Sequence, residues 1–354
     1  MLKNDYKVVG VMSGTSLDGI DLAELQFNIS DEGSWRFDII NSETIAYTNS
    51  WKVLLKEAIS YSEEKIKIFD LQYTKYLAIV ISEFIKKRNI KNLDAVCSHG
   101  HTIWHRPKEG ITLQIGNLPI LARSINQRVV CDFRVQDVQL GGQGAPLVPI
   151  GDRLLFSKFD YCLNLGGFAN ISYERHKKRI AYDICPVNIV LNHYAEKTGN
   201  PFDEGGRIAS SGELISELLQ KLNKLSFYSE NPPKSLGLEW VKEHIFSFLD
   251  DSSYSLKDIL RTFTEHIAMQ LASQFSKGAS VLITGGGVYN DFLINRLKSL
   301  SQIDAEIPSS EIIEYKEALI FGLLGILKLR GSINCLASVT GADKDHSSGN
   351  IFTL

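Results

Sequence analysis

The chain has no CxxC pair. Its five cysteines, at 97, 131, 162, 185 and 335, are odd in number and widely spaced. That excludes a disulfide framework and reads as reduced, cytosolic thiols buried in or near strands. No run of about eighteen apolar residues occurs, so no membrane-spanning helix is expected, and the opening Met1-Leu-Lys-Asn-Asp-Tyr6 lacks a signal-peptide core. A formal net charge of -3 gives no reason to expect nucleic acid or an acidic membrane as partner. Three catalytic signatures are missing as well. There is no GxxxxGK[ST] phosphate loop, no strand leading into GxGxxG with an acid some twenty residues on, and no GxSxG elbow or Ser-His-Asp order.

What is present is a soluble globular composition, 44% hydrophobic and 22% charged, over 354 residues. That length suits two domains better than one core. The organising stretch lies near the start. An apolar run, Val8 to Met12, leads into a polar turn of Ser13, Gly14, Thr15, Ser16, Asp18 and Gly19. An alternating run then places Ala23, Leu25 and Phe27 on one side and Glu24, Gln26 and Asn28 on the other. The pattern predicts strand, turn, strand. Such a turn can offer several backbone N–H groups to one anion; an ordinary hairpin turn is the alternative.

A third strand is expected over Trp35 to Tyr47, followed by amphipathic helices from Trp51 to Ile59 and from Ile66 to Phe84. Leu93 to Cys97 reads as a buried strand running into a loop with His99, His101 and His105. Those spacings match no zinc pattern, so a polar, ligand-facing loop is expected and no metal. Short strands follow at Ile111 to Ile115 and Arg128 to Phe133. Arg134 then opens a connection in which Gly141, Gly142 and Gly144 flank Gln143, a density that points to close backbone approach to a ligand, or else to a surface loop. The domain junction is placed here.

The next block repeats the opening. Tyr161 to Leu165 is a strand, Gly166-Gly167 a turn, Phe168 to Tyr173 a strand and Arg179 to Asp183 a third, so each half begins with a glycine-turned hairpin. Asp183, at a strand end before Pro186 and a helix from Val187 to Lys197, is placed as a base or as a helix cap. Pro232-Pro-Lys-Ser235 is a rigid turn. After a long helix from Leu256 to Phe275, the strand Ala279 to Ile283 runs into Gly285-Gly286-Gly287. In the helix Glu311 to Arg330, Glu317 either reaches a ligand or is a solvated first-turn acid. Glycine-rich turns after strands plus one strand-end carboxylate suit phosphoryl transfer.

Several motifs together resemble the anhydro-N-acetylmuramic acid kinases over nearly the whole chain. They are Val11-Met-Ser-Gly-Thr-Ser-Leu-Asp-Gly-Ile-Asp21, Ser98-His-Gly-His-Thr-Ile-Trp-His-Arg-Pro107, Leu113-Gln-Ile-Gly-Asn117, Asp132-Phe-Arg134 with Gly141-Gly-Gln-Gly-Ala-Pro-Leu147, Leu163-Asn-Leu-Gly-Gly-Phe-Ala-Asn-Ile-Ser172, and Pro232-Pro-Lys-Ser235. The resemblance implies an α/β, two-domain, actin-like ATPase (ribonuclease H-like) fold. Each domain would be a five-stranded mixed sheet with flanking helices, with ATP and sugar in the cleft between. Domain I would be 1–132 with a tail of about 335–354, and domain II 133–334.

It further implies that Gly14, Thr15, Ser16, Leu17, Asp18, Gly19, Ile20 and Asp21 hold ATP phosphates, met by Gly166, Gly167 and Asn170, with Gly285, Gly286 and Gly287 against the adenosine. Asp183 would be the catalytic base. His99, His101, Arg134, Gln143, Asn188 and Glu317 would contact the sugar. ATP would bring Mg²⁺. The implied reaction opens the 1,6-anhydro bridge with water and phosphorylates O6, giving N-acetylmuramic acid 6-phosphate for cell-wall recycling in the cytoplasm, and the resemblance implies a homodimer. Two departures stand out. The family usually reads Thr-Gly-Pro-Gly-Asn after the base, where this chain has Ile184-Cys-Pro-Val-Asn188, and a glutamine usual in the first histidine loop is His101. They leave room for a kinase of another amino sugar, or for a catalytically silent nucleotide- or sugar-binding regulator.

Overall fold

A computed structural model describes residues 3–250 and 253–354. The chain forms two units, one of residues up to Leu155 together with Tyr315–Leu354, the other Phe156–Glu314. Each is α/β and built on its own sheet.

The first sheet begins with an antiparallel meander of β1 (Asp5–Ser13), β2 (Gly19–Ile29) and β3 (Trp35–Ala46). After the helix Glu63–Lys87, β4 (Ala95–Arg106) pairs parallel to β1. β5 (Ile111–Ile115) folds back on β4, and β6 (Val129–Cys131) lies parallel to β4 on the edge away from β1. β1 is buried from Val8 onward because layers cover both faces of the sheet, which is why it reads as a continuous apolar run. β3, at the edge, alternates between half-buried and exposed positions. Glu24 of β2, expected on an exposed face, is only 3% exposed and pairs with Lys7 at 2.7 Å.

The second sheet repeats this plan. β7 (Tyr161–Leu165), β8 (Phe168–Arg175) and β9 (Lys178–Pro186) form the antiparallel meander. β10 (Ser280–Thr284) lies parallel to β7, and β11 (Asp304–Glu306) parallel to β10. The order β11-β10-β7-β8-β9 matches β6-β4-β1-β2-β3 strand for strand. The repeat read from two glycine hairpins is therefore a repeat of topology. The expectation of five strands per sheet holds for the second. The first has seven, because β5 and the C-terminal β12 (Asn350–Phe352), which pairs with β6, are added to the common five.

The domain boundaries expected at 132 and 335 differ from the observed division at Leu155 and Tyr315. The physical reason is the helix Ser310–Leu329. Its residues from Tyr315 onward pack on the first sheet, through glycine at three points. A Cβ at Gly10 of β1 would lie 2.0 Å from the Ala318 carbonyl oxygen, one at Gly322 would lie 2.4 Å from Leu25, and one at Gly325 would lie 2.1 Å from the Cys97 sulfur. Any side chain there would push helix and sheet apart.

Candidate active site

In the first unit the chain leaves β1 at Ser13 and turns before re-entering as β2. Leu17 closes the turn, donating its N–H to the Gly14 carbonyl at 3.3 Å, with a left-handed φ of 61° and a buried side chain. Ile20 is also core, so only the backbone of Leu17 and Ile20 is left for a ligand. Thr15, Ser16 and Asp18 project to solvent. Asp21 accepts the Thr44 hydroxyl at 2.6 Å.

The two glycines of this turn differ in kind. A Cβ on Gly19 would lie 2.6 Å from the Ile45 carbonyl oxygen, so strand β3 demands glycine there. A Cβ on Gly14 would meet nothing closer than Ser16 Oγ at 3.5 Å, and its backbone is not left-handed. Nothing in the chain demands glycine at 14, which leaves room there for the close approach of another molecule.

Beneath the turn lies a buried polar chain. Ser13 Oγ is 2.7 Å from Tyr47 Oη and 2.7 Å from His101 Nδ1, and Tyr47 Oη is 2.5 Å from Tyr73 Oη. Burial pushes the His101 pKa down to about 4, so its imidazole is neutral at pH 7. A bulge at Gly100, with φ 76°, separates His101 from His99. His99 Nδ1 donates to the Gly100 carbonyl at 2.9 Å, which leaves Nε2 to accept from Arg134 Nε at 2.8 Å. Arg134 also donates to the Gly144 carbonyl at 2.7 Å. Burial and the Arg134 charge hold the His99 pKa well below its ordinary value. His105 is exposed and bonded to Thr112, so the three histidines serve three different sets of partners.

Glu317 is reached by solvent yet closely surrounded by protein. Lost hydration raises its pKa, the Arg134 charge opposes the rise and Asp21 adds to it. Arg134, His99 and Glu317 thus form one electrostatic group.

The loop of Gly141, Gly142 and Gly144 has a different explanation from the one its composition suggested. A Cβ on Gly142 would lie 2.2 Å from Asp137 Oδ2, and the Gly144 N–H donates to the same oxygen at 2.7 Å. The glycine at 142 closes on a fully buried carboxylate, and the one at 144, left-handed at φ 69°, closes on Val138, with a Cβ position 2.9 Å from its Cγ2. Gln143 is exposed and tied by its own N–H to the Thr340 carbonyl at 2.8 Å.

In the second unit Gly166 and Gly167 form a two-residue turn between β7 and β8. Neither is left-handed, and a Cβ would meet nothing closer than 3.3 Å at Gly166 or 3.9 Å at Gly167. Their carbonyls accept the N–H groups of Val187, Asn188 and Ile189, which fixes the start of the helix Asn188–Glu196. The Asn188 amide donates to the Leu165 carbonyl at 3.3 Å, so this side chain braces the turn. Gly285 and Gly287 are required by Leu165, each with a Cβ position under 3 Å from it at 2.8 and 2.7 Å, whereas the nearest atom to a Cβ on Gly286 is 4.0 Å away. The glycines open to a ligand are therefore Gly14, Gly166, Gly167 and Gly286.

Asp183 lies within β9, which runs on to Pro186, instead of ending its strand. It is cross-strand partner to exposed Asn170 of β8, itself partner to Asn164 of β7. Sequence reasoning missed Asn164, although it stands in the quoted Leu163–Ser172 motif. Asp183 Oδ2 accepts the Leu236 N–H at 2.9 Å, and the Asp183 N–H donates to the Lys234 carbonyl at 3.1 Å. The rigid turn read at Pro232–Ser235, with Leu236 just after it, is what clamps this residue. Burial raises the Asp183 pKa and the Leu236 N–H partly offsets the rise. The departures that follow do not reach a ligand through their side chains. Ile184, Cys185 and Val187 are all buried in the hydrophobic core of this unit.

The model of the family described as anhydro-N-acetylmuramic acid kinase matches residues 6–354. The chain is 33% identical to the anhydro-N-acetylmuramic acid kinase of Bacillus cereus (strain AH187), over 97% of this chain and 98% of that one. It is also 33% identical to that of Sulfurimonas denitrificans, over 97% and 98%. Among solved structures it is similar to the activator of the 2-hydroxyisocaproyl-CoA dehydratase from Clostridium difficile with bound ADPNP, at 12% identity and a TM-score of 0.45 over 92% of this chain and 96% of that one, a likeness too weak to argue from. The chain belongs to the anhydro-N-acetylmuramic acid kinase family and is an ATP-dependent phosphotransferase.

Proposed function

We propose that the protein opens the 1,6-anhydro bridge of anhydro-N-acetylmuramic acid with water and transfers the γ-phosphoryl group of ATP to the freed O6. The product is N-acetylmuramic acid 6-phosphate, a step of cell-wall recycling in the cytoplasm, where ATP is at hand and the five free cysteines stay reduced. The observation that carries this reading is Asp183, a half-buried carboxylate of raised pKa, held in place by backbone from residues 234–236 and set beside Asn170.

Asp183 takes a proton from water as its oxygen attacks the anomeric carbon. The C1–O6 bond breaks, and the electron pair stays on O6. O6 then attacks the γ-phosphorus, and ADP leaves. A raised pKa strengthens the carboxylate as a base, while the Leu236 N–H favours its ionised form and opposes the rise. Mg²⁺ carried in by ATP neutralises charge on the phosphates. Gly14, Gly166, Gly167 and Gly286 let backbone approach the nucleotide, with Thr15, Ser16 and Asp18 available around it. Arg134, oriented by neutral His99, and Glu317 bind polar groups of the sugar. His101, where glutamine is usual, retains a neutral ring bonded to Ser13, so the exchange adds no charge. The core positions of Ile184, Cys185 and Val187 remove the main reason to invoke another amino sugar.

The test is purified protein with ATP, Mg²⁺ and the anhydro-sugar in water enriched in heavy oxygen. One ADP per sugar phosphate is expected, with the heavy oxygen on C1 and not in the phosphate. ATP bound without turnover would remove the proposal.

A further inference from the structure

We propose that Asp137, Cys335 and His346 form a zinc site that clips the C-terminal segment to the helix Val135–Gln139. All three residues are buried, with Asp137 at 0%, Cys335 at 1% and His346 at 6% exposure. The Asp137 carboxylate, the Cys335 sulfur and His346 Nε2 lie within 4.8 Å of one another. The Cys335 thiol donates to Asp137 Oδ1 at 3.0 Å, and His346 Nε2 is 3.6 Å from the same oxygen.

The second observation is the state of His346. Its Nδ1 bonds the Lys344 carbonyl at 3.1 Å and, facing a carbonyl, must be the donor. In the neutral ring this leaves Nε2 a bare lone pair. Nε2 is fully buried, has no hydrogen-bond partner and faces the carboxylate and the thiol. Asp137 Oδ1 accepts from Cys335 and Thr340, but the lone pair of Nε2 finds no donor, and in a dry interior it needs a proton or a metal ion between it and the carboxylate. A divalent cation meets that need. The Cys335 thiol would lose its proton to solvent on binding, and the thiolate and carboxylate charges would then balance the ion.

The donor set selects the metal. One sulfur, one imidazole nitrogen and one carboxylate oxygen suit zinc and not magnesium or calcium, which take oxygen ligands. The surrounding bonds are those that orient metal ligands. Lys344 fixes the histidine tautomer, Thr340 Oγ1 donates to Asp137 Oδ1 at 2.7 Å, and the Gly144 N–H holds Oδ2. Cys335 and His346 are themselves paired backbone to backbone, N–H to carbonyl in both directions at 3.1 Å. Gly144, whose N–H holds Asp137, is also the residue whose carbonyl accepts from Arg134.

The test uses the full chain, reduced without a thiol reductant, with Zn²⁺ alone and with Co²⁺ as a spectroscopic probe. One tightly held Zn²⁺ per chain is expected. Co²⁺ should give the charge-transfer absorption of a cobalt–thiolate bond. Cys335→Ser should abolish that band, and His346→Gln should weaken Zn²⁺ binding on the order of 10- to 100-fold. His176→Ala, at an exposed turn, should change neither. Absence of the thiolate band in the unaltered protein would overturn the proposal whatever the variants do. So would Zn²⁺ binding that Cys335→Ser and His346→Gln both leave intact.

Discussion

The two hairpin turns sit at equivalent places in sheets of the same order, yet they are built differently. The turn after β1 is long, and its polar side chains face water above a buried His101–Ser13–Tyr47–Tyr73 chain. The turn after β7 is two glycines with no side chains at all, braced by the start of the next helix. Neutral buried groups support the first, and the second stands beside an ionisable carboxylate. Duplicated topology supplies two equivalent strand ends. The chemistry is assigned to them one residue at a time.

The largest effect that would sharpen this contrast is at Asp183. Asp183→Asn keeps the shape and removes the base. Turnover should fall by roughly 10²- to 10⁴-fold while nucleotide still raises the melting temperature. Undiminished turnover would move the base elsewhere. Next come the paired glycines. Gly19→Ala should cost about 1–3 kcal/mol in a denaturant melt, because its Cβ collides with strand β3. Gly14→Ala and Gly167→Ala should leave the melt nearly unchanged and raise KM for ATP. If Gly14 and Gly19 behave alike, the division between fold glycines and ligand glycines is wrong.

A subtler effect concerns His101. Its folded pKa, about 4, is below the unfolded value of 6.5, so the unfolded chain binds the extra proton first. Stability from this group is complete above about pH 6.5 and is lost as pH falls toward 4. His101→Gln should flatten that part of the stability profile and leave the acid limb of the turnover profile in place. The smallest effect is at Leu236. Leu236→Pro deletes the N–H that stabilises ionised Asp183, so the acid limb of the pH–rate profile should move upward.

Much of this was legible in the sequence, because strands buried on both faces are apolar runs and turns are glycines. Val8 to Met12 and Tyr161 to Leu165 were read on that basis. The allegiance of the helix Ser310–Leu329 was not legible. Its apolar residues suit either sheet, and the choice depends on Gly10, Gly322 and Gly325 meeting partners hundreds of residues away or across a layer. The glycines at 142 and 144 were misread for a related reason. Glycine signals that something comes close, and only the fold tells whether it is a ligand or, as here, Asp137 and Val138. Lys234 and Leu236 are about fifty residues from Asp183 in sequence, and their part in holding it is backbone, which side-chain patterns do not record.

The contact between Gly10 and Ala318 is main chain against main chain, with no layer of side chains between. Most core contacts shift when a neighbour gains or loses a methyl group. Here the nearest atoms to a Cβ on Gly10 would be those of the Ala318 carbonyl, with the Leu25 methyl behind them at 3.1 Å, so main chain sets the spacing and works like a machined reference face. Glu317, the residue before it, inherits its position from peptide geometry alone. The core around it can drift in volume over generations while the height of that carboxyl above β1 stays the same.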